Sequence, residues 1–147
     1  MRTWLAAVAV AVIAACGGGG GGEDGELPAG FEVNATRTDG GGPVVSCPST
    51  PSWRAWFEDV SSTGATLTPN GASGPGAWVC GAPMRVDGAW VVGCEANTGS
   101  VTVSSVFTFA DAGGGVIDHV GTFNADGSAA CASSYRIDSI VEDLDGP

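Results

Sequence analysis

Apolar and polar side chains alternate along several short stretches of the chain, each bounded by glycine, proline, asparagine or aspartate. Phe31-Glu32-Val33-Asn34-Ala35 puts every second residue on an apolar face, and Val101, Val103, Phe107 and Phe109 alternate with Thr102, Ser104 and Thr108 ahead of a loop from Asp111 to Gly115. A period of two marks a strand with one buried face. The segment AWVCGAPMRVDGAWVVGCEA, Ala77 to Ala96, reads as a hairpin about Val86-Asp87-Gly88, where Gly88 takes the positive φ of a three-residue turn with a G1 bulge. That turn pairs Arg85 with Ala89. Counting outward sets Cys80 opposite Cys94 at a non-hydrogen-bonded pair, where side chains approach most closely. The same register gathers Trp78, Cys80, Ala82, Met84, Trp90, Val92 and Cys94 on one face and leaves Arg85 and Glu95 on the other. Pro83 lacks the N–H its position calls for, so an edge or an irregularity is expected there. A second hairpin, about Ala125-Asp126-Gly127, sets Phe123 opposite Ala129, Gly121 opposite Cys131, His119 opposite Ser133 and Ile117 opposite Tyr135.

A single stretch has helical character. Thr50 can cap, Pro51 suits a first turn, and Trp53, Trp56 and Phe57 fall on one side, but Gly64 and Pro69 follow closely. The pattern therefore predicts an all-β domain over 31–141, a small antiparallel sandwich or meandering barrel with at most one short helix near 51–59. An acidic tail, 142–147, ends the chain.

The amino-terminal segment is of another kind. Met1-Arg2-Thr3 gives a short positive start, and Trp4 to Ala15 is an uncharged, mainly apolar run. That run is shorter than the roughly 20 residues needed to span a bilayer, and suits the hydrophobic part of a secretory signal. It stops at Cys16, after two small residues and before six glycines. Here the sequence resembles the bacterial lipoprotein signal, whose lipobox places an aliphatic residue and two small residues before a cysteine, as Ile13-Ala14-Ala15-Cys16 does. The resemblance covers the signal and no further; the domain behind it matches no family by inspection. It implies removal of 1–15, a diacylglyceryl group on the Cys16 thiol, acylation of the new amino terminus, and a lipid-anchored protein outside the cytoplasm. More than one acyl chain makes such an anchor stable, since each buried methylene adds about 0.8 kcal/mol. The resemblance further implies, from Gly17 where an inner-membrane member tends to carry aspartate, the outer membrane in a Gram-negative cell. Residues 16–30 then form a glycine-rich tether reaching roughly 20 Å, at about 5–6 Å times the square root of residue number.

Export changes the meaning of the remaining cysteines, Cys47, Cys80, Cys94 and Cys131. An even number in a small exported domain reads as two disulfides, for which three pairings exist. The hairpin register selects Cys80–Cys94, which leaves Cys47–Cys131. A redox or metal-binding set is disfavoured, because no C-x-x-C occurs and the chain has one histidine.

Charge narrows the partners. The net charge is -11, with sixteen carboxylates against five arginines and no lysine. Nucleic acid is excluded as a partner on this balance, because its binding relies on clustered cations that release counterions. His119 opposite Ser133 is the sharpest catalytic idea, since an imidazole within hydrogen-bond reach of a hydroxyl can serve as its base. A triad also needs an orienting group and an oxyanion site; Asp118 falls on the other face of its strand and no G-x-S-x-G occurs. A polar pair satisfying itself within the sheet is the simpler account. Asp143-Leu144-Asp145-Gly146 carries a fragment of a calcium loop without its remaining ligands. Asn34-Ala35-Thr36 is a glycosylation sequon, of little weight in a bacterial lipoprotein. Trp53, Trp56, Trp78 and Trp90 are candidates to stack on a sugar or line an apolar cavity, with core packing the simpler role for the hairpin pair. No cofactor is implied. Two functions follow as expectations: a lipid-anchored β-domain with a non-enzymatic binding or structural role, taking a small apolar ligand or a protein partner, and alternatively a small hydrolase using His119 and Ser133.

Overall fold

The computed structural model describes residues 26–39, 47–70, 77–111 and 113–142. The signal, Cys16, the glycines after it and the Asp143–Asp145 fragment lie outside the described residues. Nine strands account for most of the rest: β1 (Phe31–Arg37), β2 (Ser52–Ser61), β3 (Gly64–Pro69), β4 (Trp78–Cys80), β5 (Met84–Val86), β6 (Ala89–Asn97), β7 (Val101–Phe109), β8 (Gly115–Phe123) and β9 (Ala129–Glu142). Each strand is antiparallel to its neighbours, in the order β4-β3-β2-β1-β9-β8-β7-β6-β5, and β4 also pairs with β6. That last pairing closes eight strands into a barrel, with β5 as a short extra strand beside β6. Closure satisfies the backbone groups that open sheet edges would expose.

Residues 52–59 belong to strand β2, and no helix occurs among the described residues. Trp53, Trp56 and Phe57 fit a helical spacing, but Trp53, Ala55 and Phe57 also fit a period of two. Pairing with β1 on one side and β3 on the other selects the second, burying all three to 2% or less. Tertiary pairing overrides local propensity here.

The first hairpin turn is one residue shorter than its sequence suggests. Asp87 and Gly88 both have positive φ, 51° and 81°, which makes a two-residue turn closed by Val86 and Ala89. Arg85 therefore faces Trp90 and not Ala89, and Met84 turns outward, 59% exposed. Between β4 and β5 the chain inserts an extra residue around Gly81–Pro83, the irregularity that Pro83 requires. The insertion shifts the register back by one, so Cys80 faces Cys94 after all. The second hairpin pairs Gly121 with Cys131, His119 with Ser133 and Ile117 with Tyr135, but a bulge moves Ala129 opposite Thr122, and Phe123 is exposed.

The interior is filled by side chains. Phe31, Phe57, Trp53, Trp78, Phe107 and Tyr135 are buried, with Phe31 stacked on Phe57 and Phe107 edge-on to Phe57. One inward row runs Ala65, Cys80, Cys94, Ser105, His119, Ser133 across six strands. All but His119 are small, which leaves room for the indoles of Trp53 and Trp78, 4.9 and 5.7 Å from the imidazole centroid. Leu27, Val60 and Trp90 pack on the core at the end where β1 begins. At the other end, Tyr135 Oη donates to the Thr50 carbonyl at 2.8 Å, Arg37 Nη1 donates to the Ser49 carbonyl at 2.9 Å, and Cys47 is bonded to Cys131.

Candidate functional site

Register brings His119 between Ser105 and Ser133, its cross-strand neighbours on either side. The hydrogen bond forms with Ser105: its Oγ lies 2.6 Å from His119 Nδ1. Ser133 Oγ, His119 Nε2 and Trp53 Nε1 are buried without hydrogen-bond partners. The expected self-satisfying pair of His119 and Ser133 is thus replaced by a Ser105–His119 pair. Ser105 went unnoticed in the sequence because one hydroxyl at a core position has no motif; its trace is a serine where the alternation of β7 calls for an apolar residue.

The imidazole is poorly placed for acid–base work. Burial pushes its pKa down to about 3, partly opposed by the negative charge of Asp39, so the ring is neutral at ordinary pH. His119 is 1% exposed and Ser133 2%. Asp118 is on the outer wall, where it accepts a hydrogen bond from Ser134 Oγ at 2.7 Å. Asp39 is held by Arg37, whose hydrogen bond keeps the carboxyl below the usual carboxylate range. Among the described residues no carboxylate is hydrogen-bonded to the imidazole to orient it for catalysis.

The four candidate tryptophans separate. Trp53 and Trp78 are core residues, and Trp56 is buried on the outer side of β2 with the Arg54 guanidinium 5.6 Å from its ring centroid. Trp90 lies half-buried at the barrel mouth. Its Nε1 donates to Asp111 Oδ1 at 2.8 Å, and Arg85 bonds the other carboxylate oxygen at 2.6 Å while its guanidinium sits 4.6 Å from the Trp90 ring centroid. Arg85, then Trp90, lower the pKa of Asp111 by stabilising its anion. Beside this cluster is a depression of about 210 Å³ lined by Leu27, Val60, Pro83 and Trp90 with Glu26 and two serines. Trp78 and Trp90 do not share an opening.

A larger depression, about 510 Å³, lies across β4, β6 and β7, where Gly81 and Gly93 carry no side chain. Sequence patterning placed Glu95 on this outer face but did not single out Val79, Gly93 or Val106. Among the described residues, no group of three or more histidine, cysteine, aspartate or glutamate side chains is disposed to hold a metal ion. Both disulfides expected from the register are formed, Cys80–Cys94 and Cys47–Cys131. The chain matches no protein-family model, no curated protein and no solved structure.

Proposed function

We propose that the chain is an exported, lipid-anchored β-barrel that serves a non-enzymatic binding or structural role through its outer surface. Cys16 carries the lipid, and the protein resides at the cell membrane, the outer membrane in a Gram-negative cell. The observation that carries the reading is the filled interior: indole, phenol and phenyl groups occupy the space where a lipocalin-like barrel would hold a ligand. What favours it over a hydrolase is the burial of His119 and Ser133 behind the wall, with the imidazole engaged by Ser105. Two disulfides among the described cysteines support maturation in an oxidising compartment.

The test is metabolic labelling of the full chain with an alkyne fatty acid in a bacterial host, followed by mass analysis. The expected product starts at Cys16, carries lipid and sediments with membranes, and Cys16→Ser abolishes label and sedimentation together. An intact Met1, or a soluble product with free thiols, refutes anchoring. On an ester panel, His119→Ala is expected to change nothing; loss of a turnover present in the parent would restore the hydrolase.

A further inference from the structure

The barrel's outer wall has two unlike halves. Over β9, β1 and β2, where Val141 is also exposed, it is cross-linked by polar pairs: Arg54 bridges Glu32 and Asn34, and Asp138 holds Arg136 and Thr36. Over β4 to β8 exposed valines are interleaved with Glu95, Ser104 and Asp118, beside an interior row that is polar or sulfur-bearing. Beside the inward row Cys80, Cys94, Ser105, His119, the outward positions include Val79, Gly93, Val106 and Val120, with Glu95, Ser104 and Asp118 as the other chain neighbours of Cys94, Ser105 and His119. Val79 is 75% exposed, Val106 45% and Val120 48%. Apolar side chains gathered on one exposed wall mark an interaction site.

The depression in this wall has a defined chemistry. Gly81 and Gly93 leave its floor bare, Val79 and Val106 line it, and Glu95 stands in its wall between Val79 and Ser104. A Cβ on Gly93 would meet nothing within 4 Å, so the floor is open. Glu95 lies directly opposite Val79 and its carboxylate has no ion pair among the described residues. A trough that offers two valines, a bare glycine floor and a carboxylate without an ion pair among the described residues fits a long aliphatic stem ending in a cation.

We propose that this trough binds a lysine or arginine side chain of a different, basic protein, its methylenes on Val79, Val106 and the glycine floor and its charged head at Glu95. This rests on the reading that the barrel works through its outer surface. A second copy is a poor occupant. The chain has no lysine, and each of the four arginines of the barrel is already paired with a carboxylate of its own chain: Arg37 with Asp39, Arg54 with Glu32, Arg85 with Asp111, Arg136 with Asp138. A copy would bring Glu95 and Asp118 against the same charges.

The probe is acetyl-Ser-Val-Lys-Val-Ser-amide, compared with the same peptide carrying norleucine for lysine, titrated into the full chain in detergent and followed by amide chemical shifts. Saturable shifts are expected at Val79, Gly81, Gly93, Glu95 and Val106. The lysine peptide should bind about three- to fivefold tighter at low salt, the scale of an exposed ion pair, and lose that advantage at about 0.5 M salt. Glu95→Gln should equalise the two peptides. Gly93→Val, which fills the floor without a clash, should abolish binding of both. Shifts elsewhere, an unchanged lysine preference in Glu95→Gln, or undiminished binding by Gly93→Val overturns the proposal. So does a dimer in sedimentation that Glu95→Gln strengthens, which would give the wall to a second copy. Mass analysis of the same sample separates the two readings: an unlipidated chain that binds the lysine peptide refutes the anchor and keeps the trough, and a lipidated chain that does not bind refutes the trough alone.

Discussion

The barrel closes along one short seam, and a disulfide sits in it. β7 and β8 pair residue for residue from Val101 to Phe109. β4, by contrast, meets β6 only through Val79 with Glu95 and Cys80 with Cys94, supplemented by Gly81 N–H to the Gly93 carbonyl at 2.9 Å. Each backbone hydrogen bond contributes about 1 kcal/mol net. Two or three of them therefore hold the seam by roughly the same amount as the cross-link itself, which closes a sequence separation of 14 and contributes about 3 kcal/mol on the chain-entropy model. Replacing both Cys80 and Cys94 by alanine should lower the thermal midpoint by roughly 10 °C, taking about 4 °C per kcal/mol for a domain of this size.

Hydrogen exchange gives the sharper reading, because the loss is local before it is global. Amides of β4 and of Ala65–Leu67, its partners on β3, should exchange about two orders of magnitude faster in the double variant, relative to amides of β8. The matched control removes Cys47 and Cys131, whose separation is 84 and whose cross-link is larger on the same model, at roughly 4.5 kcal/mol. That control should destabilise the barrel without singling out β4. If β4 exchanges no faster relative to β8 after the loss of Cys80–Cys94, or if the midpoint stays within about 3 °C of the parent, the seam is not the weak line of the barrel and the reasoning fails.

Three further outcomes follow from single sites. Gly121→Ala should destabilise by about 1–3 kcal/mol in denaturant melts, because its Cβ would run into Cys131 Sγ and crowd Cys47 Sγ at 3.3 Å; Gly93→Ala, with open space around it, should be near neutral. His119 should make the fold acid-sensitive above the carboxylate range. Its folded pKa of about 3 lies below the ordinary 6.5, so the unfolded chain binds the proton more readily and stability is lost as pH falls through that window. About 2–3 kcal/mol should disappear between pH 7 and 4.5. Asp39 and Asp138, whose pKa values are lowered from 3.8, lose their contribution only at lower pH, and in His119→Gln the upper slope should vanish from urea midpoints. Val106→Ser should leave stability within about 0.5 kcal/mol, as surface changes usually do, whereas Ser105→Val should cost more than that by removing the bond to buried His119.

Strands were legible wherever one face is apolar and the other polar, as in Phe31–Ala35 and in the hairpins. The pairing of Cys80 with Cys94 was legible through two compensating irregularities: a turn one residue shorter than the Val86-Asp87-Gly88 pattern suggests, and an extra residue near Pro83 that restores the register. Met84 lies between them, which is why it alone of the expected inward set turns fully to solvent. The stretch at Trp53 was ambiguous in principle, since Trp53, Trp56 and Phe57 satisfy a helical period while Trp53, Ala55 and Phe57 satisfy a period of two, and its neighbours in the sheet, β1 and β3, decide. Of the candidate site residues, the pattern set His119 across from Ser133 correctly but carried no sign that Ser105 takes the bond.

Along one belt of the barrel the usual polarity is turned inside out, and this is what ties the core to the proposed trough. Cys94, Ser105 and His119 point inward where an alternating strand would place valine or leucine, and next to them Gly93, Val106 and Val120 point outward where it would place serine or threonine, while their other chain neighbours, Glu95, Ser104 and Asp118, keep the usual polarity. The inward members are explained by volume: a branched aliphatic at Ser105 or Cys94 would compete with the indoles of Trp53 and Trp78 for the middle of the barrel. Nothing inside the barrel requires the outward members to be apolar, because a threonine on the outer face pairs equally well in a strand. Stability therefore accounts for half of the inversion. The other half needs a cause outside the wall, and a side chain that lies on Val79 and Val106 and ends at Glu95 supplies one.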